Sequence, residues 1–93
     1  MSVAASMTAK LTAAFQPARL DVVDDSARHA GHAGARAGGE SHFNVLIVSD
    51  AFAGKSRVER QRLVYGVLAD ELAGPVHALS LVLMTGAEAA ARG

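Results

Sequence analysis

The spacing of apolar positions changes along the chain, and each change marks an element. Over residues 7–15 the apolar side chains Met7, Leu11, Ala14 and Phe15 share one helical face, with Thr8 and Lys10 turned away. Pro17 ends this helix, because a proline drives the residue before it out of the helical region. Residues 18–25 alternate instead, with Leu20, Val22 and Asp24 against Arg19, Asp21 and Val23, which predicts a strand. Residues 41–49, SHFNVLIVS, alternate again, Phe43, Val45, Ile47 and Ser49 opposing Asn44, Leu46 and Val48. Between the two strands, residues 26–40 have no period and hold four of the nine glycines and two of the four histidines. A loop of that length inside a small domain is uncommon and is usually functional or disordered.

The longest periodic stretch follows. Ser56 caps a helix, and Glu59, three residues on, completes a capping box. Val58, Gln61, Tyr65, Leu68 and Leu72 fall on a single face, widened by Leu63 and Val64. Arg57, Arg60, Arg62, Asp70 and Glu71 point elsewhere on that reading. Gly74 and Pro75 stop the helix. Residues 76–84, VHALSLVLM, are largely apolar on both faces and read as a central strand with His77 at its start. A short Ala-rich helix is expected over residues 87–92, with frayed ends at 1–5 and 87–93. The order α-β-β-α-β-(α) describes an α+β fold, a three-stranded sheet with helices on one face. The pattern leaves the strand order open.

Length and charge narrow the classes. The chain, 93 residues, is expected to form one domain. Nine basic residues balance nine acidic ones, so overall charge does not favour polyanions; a local cluster remains at Lys55, Arg57, Arg60 and Arg62. Such a run is more often a solvated helix face than a nucleic-acid grip. The absence of cysteine rules out disulfides and an all-thiolate metal site built by this chain alone, while a site shared with a partner stays open. The first fifteen residues lack the apolar run of a signal peptide or membrane helix, which makes a cytoplasmic home the default expectation.

Catalytic sets are not evident. Asp24 and Asp25 are neighbours on a strand and so face opposite ways, and no Ser-His-Asp grouping presents itself, which points away from an enzyme. Gly54-Lys55-Ser56 resembles the end of a phosphate loop, yet the glycine required five positions earlier is Ser49. A turn feeding a capped helix is the simpler reading. The histidines are more informative. His42, opening a strand, reads as a hydrogen-bonded structural residue. His77 faces a loop carrying His29 and His32, so two imidazoles can reach one metal. Two ligands do not complete a tetrahedral site, and without cysteine the site stays open to a partner.

Several segments together resemble the BolA family. They are F-x-G-K-x-x-V-x-R-x-R-L-V-Y from Phe52, E-L-x-G from Glu71 and V-H-A-L-S from Val76. Upstream, D-D-S-x-R-H from Asp24 and G-E-S-H-F-N-V-x-I-V-S from Gly39 fit the same family. The resemblance implies a KH-like fold of the second type, with the first two strands antiparallel across the loop and the third joining them after the long helix. It also implies a partnership with a monothiol glutaredoxin around a shared [2Fe–2S] cluster, in iron–sulfur handling or iron homeostasis. The glutaredoxin would give its cysteine and a glutathione thiolate. This chain would give His77 from V-H-A and either His29 or His32, His29 standing where D-D-S-x-R-H puts a histidine. Imidazole in place of thiolate makes such a cluster less anionic and raises its potential. The alternative implied by the family is a DNA-binding transcriptional regulator using Lys55, Arg57, Arg60 and Arg62. Gly54-Lys55-Ser56-Arg57 lacks the second glycine of the KH backbone grip. Two departures from the family stand out: Gln61 replaces the usual histidine between Arg60 and Arg62, and the segment after Leu81 is Ala-rich.

Overall fold

The computed structural model describes residues 2–25 and 41–92. Helix α1 (Val3–Phe15) starts earlier than its apolar period suggests, because Ser2 supplies a cap: its Oγ accepts from the Ala5 N–H at 3.0 Å. Residues 3–5 are therefore helical rather than frayed. Met7, Leu11 and Phe15 are buried as expected, while Ala14 is exposed. Gln16 closes the helix in the left-handed region, φ 45°, and its N–H returns to the Thr12 carbonyl.

Strands β1 (Arg19–Asp24) and β2 (His42–Val48) pair antiparallel, Leu20 opposite Ile47 and Val22 opposite Val45. A 3-10 turn (Asp50–Phe52) and the turn at Gly54 (φ 75°) lead into α2 (Arg57–Val67) and the short α3 (Ala69–Ala73). Strand β3 (Ala78–Met84) then joins β2 in parallel, His42 opposite Ala78, and α4 (Gly86–Arg92) follows. The sheet order is β1-β2-β3, the α+β arrangement expected. One correction concerns β3, expected to be central: it is an edge strand, and β2 lies in the middle. Leu79, Leu81 and Leu83 pack toward the core, but Val82 on the opposite face is 43% exposed. An apolar run alone does not distinguish a strand buried on both faces from one whose outer valine meets solvent.

The core joins Met7, Leu11 and Phe15 of α1 to Phe43, Val45 and Ile47 of β2, with Phe52, Val64, Leu68 and Val76 closing it. The second correction concerns the α2 face. Val58 and Tyr65, assigned inward, are 52% and 43% exposed, whereas Val64 and Leu68 are fully buried. Arg60 and Glu71, assigned outward, are turned into the structure: their side chains are 12% and 8% exposed. An apolar-only count misplaces the face because it ignores charged groups that carry their own partners inward. Ser6 Oγ donates to Glu71 Oε2 at 2.9 Å, and the Lys10 ammonium lies 3.0 and 2.8 Å from the two carboxylate oxygens. Burial alone would raise the Glu71 pKa, but the hydrogen bonds from Lys10 and Ser6 outweigh it and hold the carboxyl below its ordinary value.

The capping box of α2 forms as read. Ser56 Oγ accepts from the Glu59 N–H and Glu59 Oε1 accepts from the Ser56 N–H, both at 3.1 Å. Ser56→Ala is expected to cost about 1 kcal/mol of stability, measured as a lower denaturant midpoint with unchanged slope.

Candidate functional site

His77 owes its position to its neighbours. Gly74 and Pro75 end α3, and the Val76 N–H reaches the Glu71 carbonyl at 3.0 Å while the Val76 side chain plugs the core at 3% exposure. With Val76 committed inward, His77 emerges exposed just before β3. Its backbone N–H donates to the Ser41 carbonyl at 2.8 Å, and the Ala78 N–H donates to the same oxygen at 3.1 Å. Ser41 is buried and immediately follows the Gly/His segment. At the other end of that segment, the Asp25 N–H donates to the His42 carbonyl at 2.8 Å. Asp25 and Ser41, which flank residues 26–40, are thus both held at the end of the sheet where His77 stands.

The two described histidines differ. His42 is half-buried and its Nδ1 lies 3.1 Å from Ser41 Oγ, a contact made by either tautomer. Among the described residues, no side chain hydrogen-bonds the His77 imidazole. His29 and His32 lie outside the described residues. Among those described, no group of three or more His, Cys, Asp or Glu side chains could hold a metal. His77 offers one accessible imidazole, a donor suited to iron, and a complete site would need further ligands.

The basic cluster is divided. Arg57 and Arg62 are exposed and Lys55 is half-buried, but Arg60 folds back across the 3-10 turn. Its Nε donates to the Lys55 carbonyl (3.0 Å) and Nη1 to the Leu83 carbonyl (3.2 Å). Its fork then meets Glu88 of α4, Nη1 to Oε1 at 2.6 Å and Nη2 to Oε2 at 3.1 Å. Beside it runs an open groove of about 510 Å³ lined by Lys55, Arg57, Gln61, Val82, Glu88 and Arg92 among others. Gln61 is half-buried along this groove.

Sequence reading missed the Arg60–Glu88 pair, although a signal was present. Thr85-x-x-Glu88 is a capping box, with the Thr85 N–H to Glu88 Oε1 at 2.9 Å and the Glu88 N–H to Thr85 Oγ1 at 3.2 Å. The Arg60 fork, then the Thr85 N–H, lower the Glu88 pKa to about 2. A carboxylate depressed in the fold stabilises it above the ordinary carboxylate range and loses that contribution as pH falls toward the folded value. Stability is therefore expected to fall between about pH 4.5 and about pH 2, and Glu88→Gln should flatten that part of a stability-against-pH curve.

Among the described residues, no helix is long and apolar enough to cross a membrane. The model of the BolA-like protein family matches residues 11–88. SufE-like protein 1, chloroplastic/mitochondrial, of Arabidopsis thaliana is 53% identical over 83 residues, covering 85% of this chain and 22% of that protein. The DNA-binding transcriptional regulator BolA of Escherichia coli (strain K12) is 53% identical over 72 residues, 77% of this chain and 65% of that one. The chain thus spans between 22% and 65% of these curated relatives' own lengths. Among solved structures, the BolA domain of SufE1 from Arabidopsis thaliana is similar with a TM-score of 0.83 at 49% identity, covering 95% of this chain and 96% of that one. The solution structure of BolA1 from Mus musculus gives 0.80 at 40% identity, covering 97% and 70%. Matched from within its first helix into its last, and by solved domains over nearly its whole length, this chain belongs to the BolA-like family.

Proposed function

We propose that this protein is a non-catalytic partner in iron–sulfur handling that binds a monothiol glutaredoxin and co-ligates a [2Fe–2S] cluster. The observation that carries the reading is the position of His77: an exposed imidazole, free of hydrogen bonds among the described residues, at the sheet end where Asp25 and Ser41, the residues flanking the Gly/His segment, are held. In this reading His77 supplies one ligand and His29 or His32 a second, while the partner's cysteine and glutathione complete the set. The cluster would supply electron storage or be the cargo itself. The chain's own part is to hold His77 still: Val76 anchors one side of it and the Ser41 carbonyl fixes its backbone. His42, engaged with Ser41 Oγ, is left a structural role. The test is to titrate this protein into cluster-loaded glutaredoxin with glutathione and follow visible circular dichroism. A new spectrum saturating at one chain per glutaredoxin is expected, and a spectrum identical to that of glutaredoxin alone contradicts the reading.

A second reading, DNA binding, is favoured by the name of the Escherichia coli relative and by two exposed arginines of α2, Arg57 at its start and Arg62 midway along it, with Lys55 just before the helix. A salt-dependent affinity for duplex DNA would support it.

A further inference from the structure

Helix α4 is attached in an unusual way. It has only seven residues and buries none of them. A helix so short is not stable by itself in water, so α4 is helical because it is docked. What docks it is polar: the Glu88 carboxylate on the Arg60 fork, the Gly86 N–H on Asp50 Oδ1 at 3.2 Å, and Arg92 Nη1 on the Met84 sulfur at 3.5 Å. Contacts of this kind weaken with salt and are open to competing ions.

The docking partner is a member of the basic cluster. Arg60 lies between Arg57 and Arg62 in sequence and lines the same groove as Lys55 and Arg57, yet its charge is already matched by Glu88. A phosphate oxygen and a carboxylate oxygen ask the same of a guanidinium fork, so they compete for it. We propose that α4 is an autoinhibitory strap: Glu88 covers the Arg60 fork, and release of α4 uncovers that fork in the groove for the phosphate backbone of a nucleic acid, while the Lys55 and Leu83 carbonyls keep the guanidinium in place. This rests on the DNA-binding reading for the class of ligand. It goes beyond that reading in assigning Glu88 and α4 a restraining role.

The experiment compares wild type with Glu88→Gln, using a short fluorescein-labelled DNA duplex and fluorescence anisotropy over a range of salt. Asp70→Asn, which removes the same charge from an almost fully exposed carboxylate on α3, controls for net charge. Glu88→Gln is expected to bind about three- to tenfold more tightly at low salt, with a slope of log affinity against log salt steeper by about one. Asp70→Asn should leave that slope unchanged. Adding Arg60→Gln to Glu88→Gln should abolish the gain. Amide hydrogen exchange reads the strap directly: α4 should exchange faster than α2 in wild type and faster still in Glu88→Gln. If wild type and Glu88→Gln bind DNA equally, the strap proposal fails while DNA binding stands. If Asp70→Asn gains as much as Glu88→Gln, net charge explains the gain and the strap proposal fails. If neither wild type nor Glu88→Gln binds, the DNA reading fails and takes the proposal with it.

Discussion

Phe52→Ala is expected to lower the free energy of unfolding by about 3–5 kcal/mol. Phe52 ends the 3-10 turn between β2 and α2 and is completely buried. Its ring packs against Phe15 of α1, centroids 5.0 Å apart and planes tilted by 39°, and the Arg60 guanidinium lies over it, 5.9 Å from its centroid. Removing the ring opens a cavity under α1 and takes away the surface over which the Arg60 guanidinium lies. Neighbouring side chains do not close such a void without strain, because interiors are packed nearly as tightly as organic crystals. A domain of this size has a total stability of roughly 5–10 kcal/mol, so the variant should be marginal at room temperature. Urea unfolding followed by far-ultraviolet circular dichroism measures this. Val82→Ala is the companion, 43% exposed on the open sheet face and expected to change stability by less than about 1 kcal/mol. Equal effects of the two substitutions would mean that the assigned core is wrong.

The fold was legible wherever the pattern is local. Phe43, Val45 and Ile47 alternate with Asn44 and Leu46, and β2 follows that alternation. Ser56 and Glu59 announced the start of α2, and Gly74-Pro75 the stop before β3, although the single helix read between them is divided at Leu68 into α2 and α3. What escaped depends on residues far apart in sequence. Glu71 is inward because Ser6 and Lys10 on α1 meet it there, and Arg60 because Leu83 and Glu88 do. No spacing rule along one helix contains those partners. The edge position of β3 was hidden for the same reason, since strand order is a property of pairing rather than of any one strand's composition.

The candidate site divides in the same manner. The residue types were visible in the sequence, and the resemblance named His77. The physical basis for preferring His77 over His42 was not visible. It lies in the Ser41 carbonyl, which receives the His77 and Ala78 N–H groups, and in the Ser41 hydroxyl, which engages His42. His29 and His32 lie outside the described residues, so the choice between them rests with experiment.

Replacing His77 is the second large expected effect. His77 is exposed and its fixed contact is a backbone one, so His77→Ala should leave stability within about 0.5 kcal/mol of wild type. Loss of function in that variant would therefore not be loss of fold. The most direct measurement is the visible circular dichroism of cluster-loaded monothiol glutaredoxin with glutathione, mixed with wild type, His77→Ala or His42→Ala. Ligation through His77 predicts a spectrum distinct from that of glutaredoxin alone for wild type and His42→Ala, and its disappearance in His77→Ala. His29→Ala and His32→Ala would then separate the two loop histidines. A His77→Ala spectrum superimposable on that of wild type would contradict the assignment of His77 as a ligand.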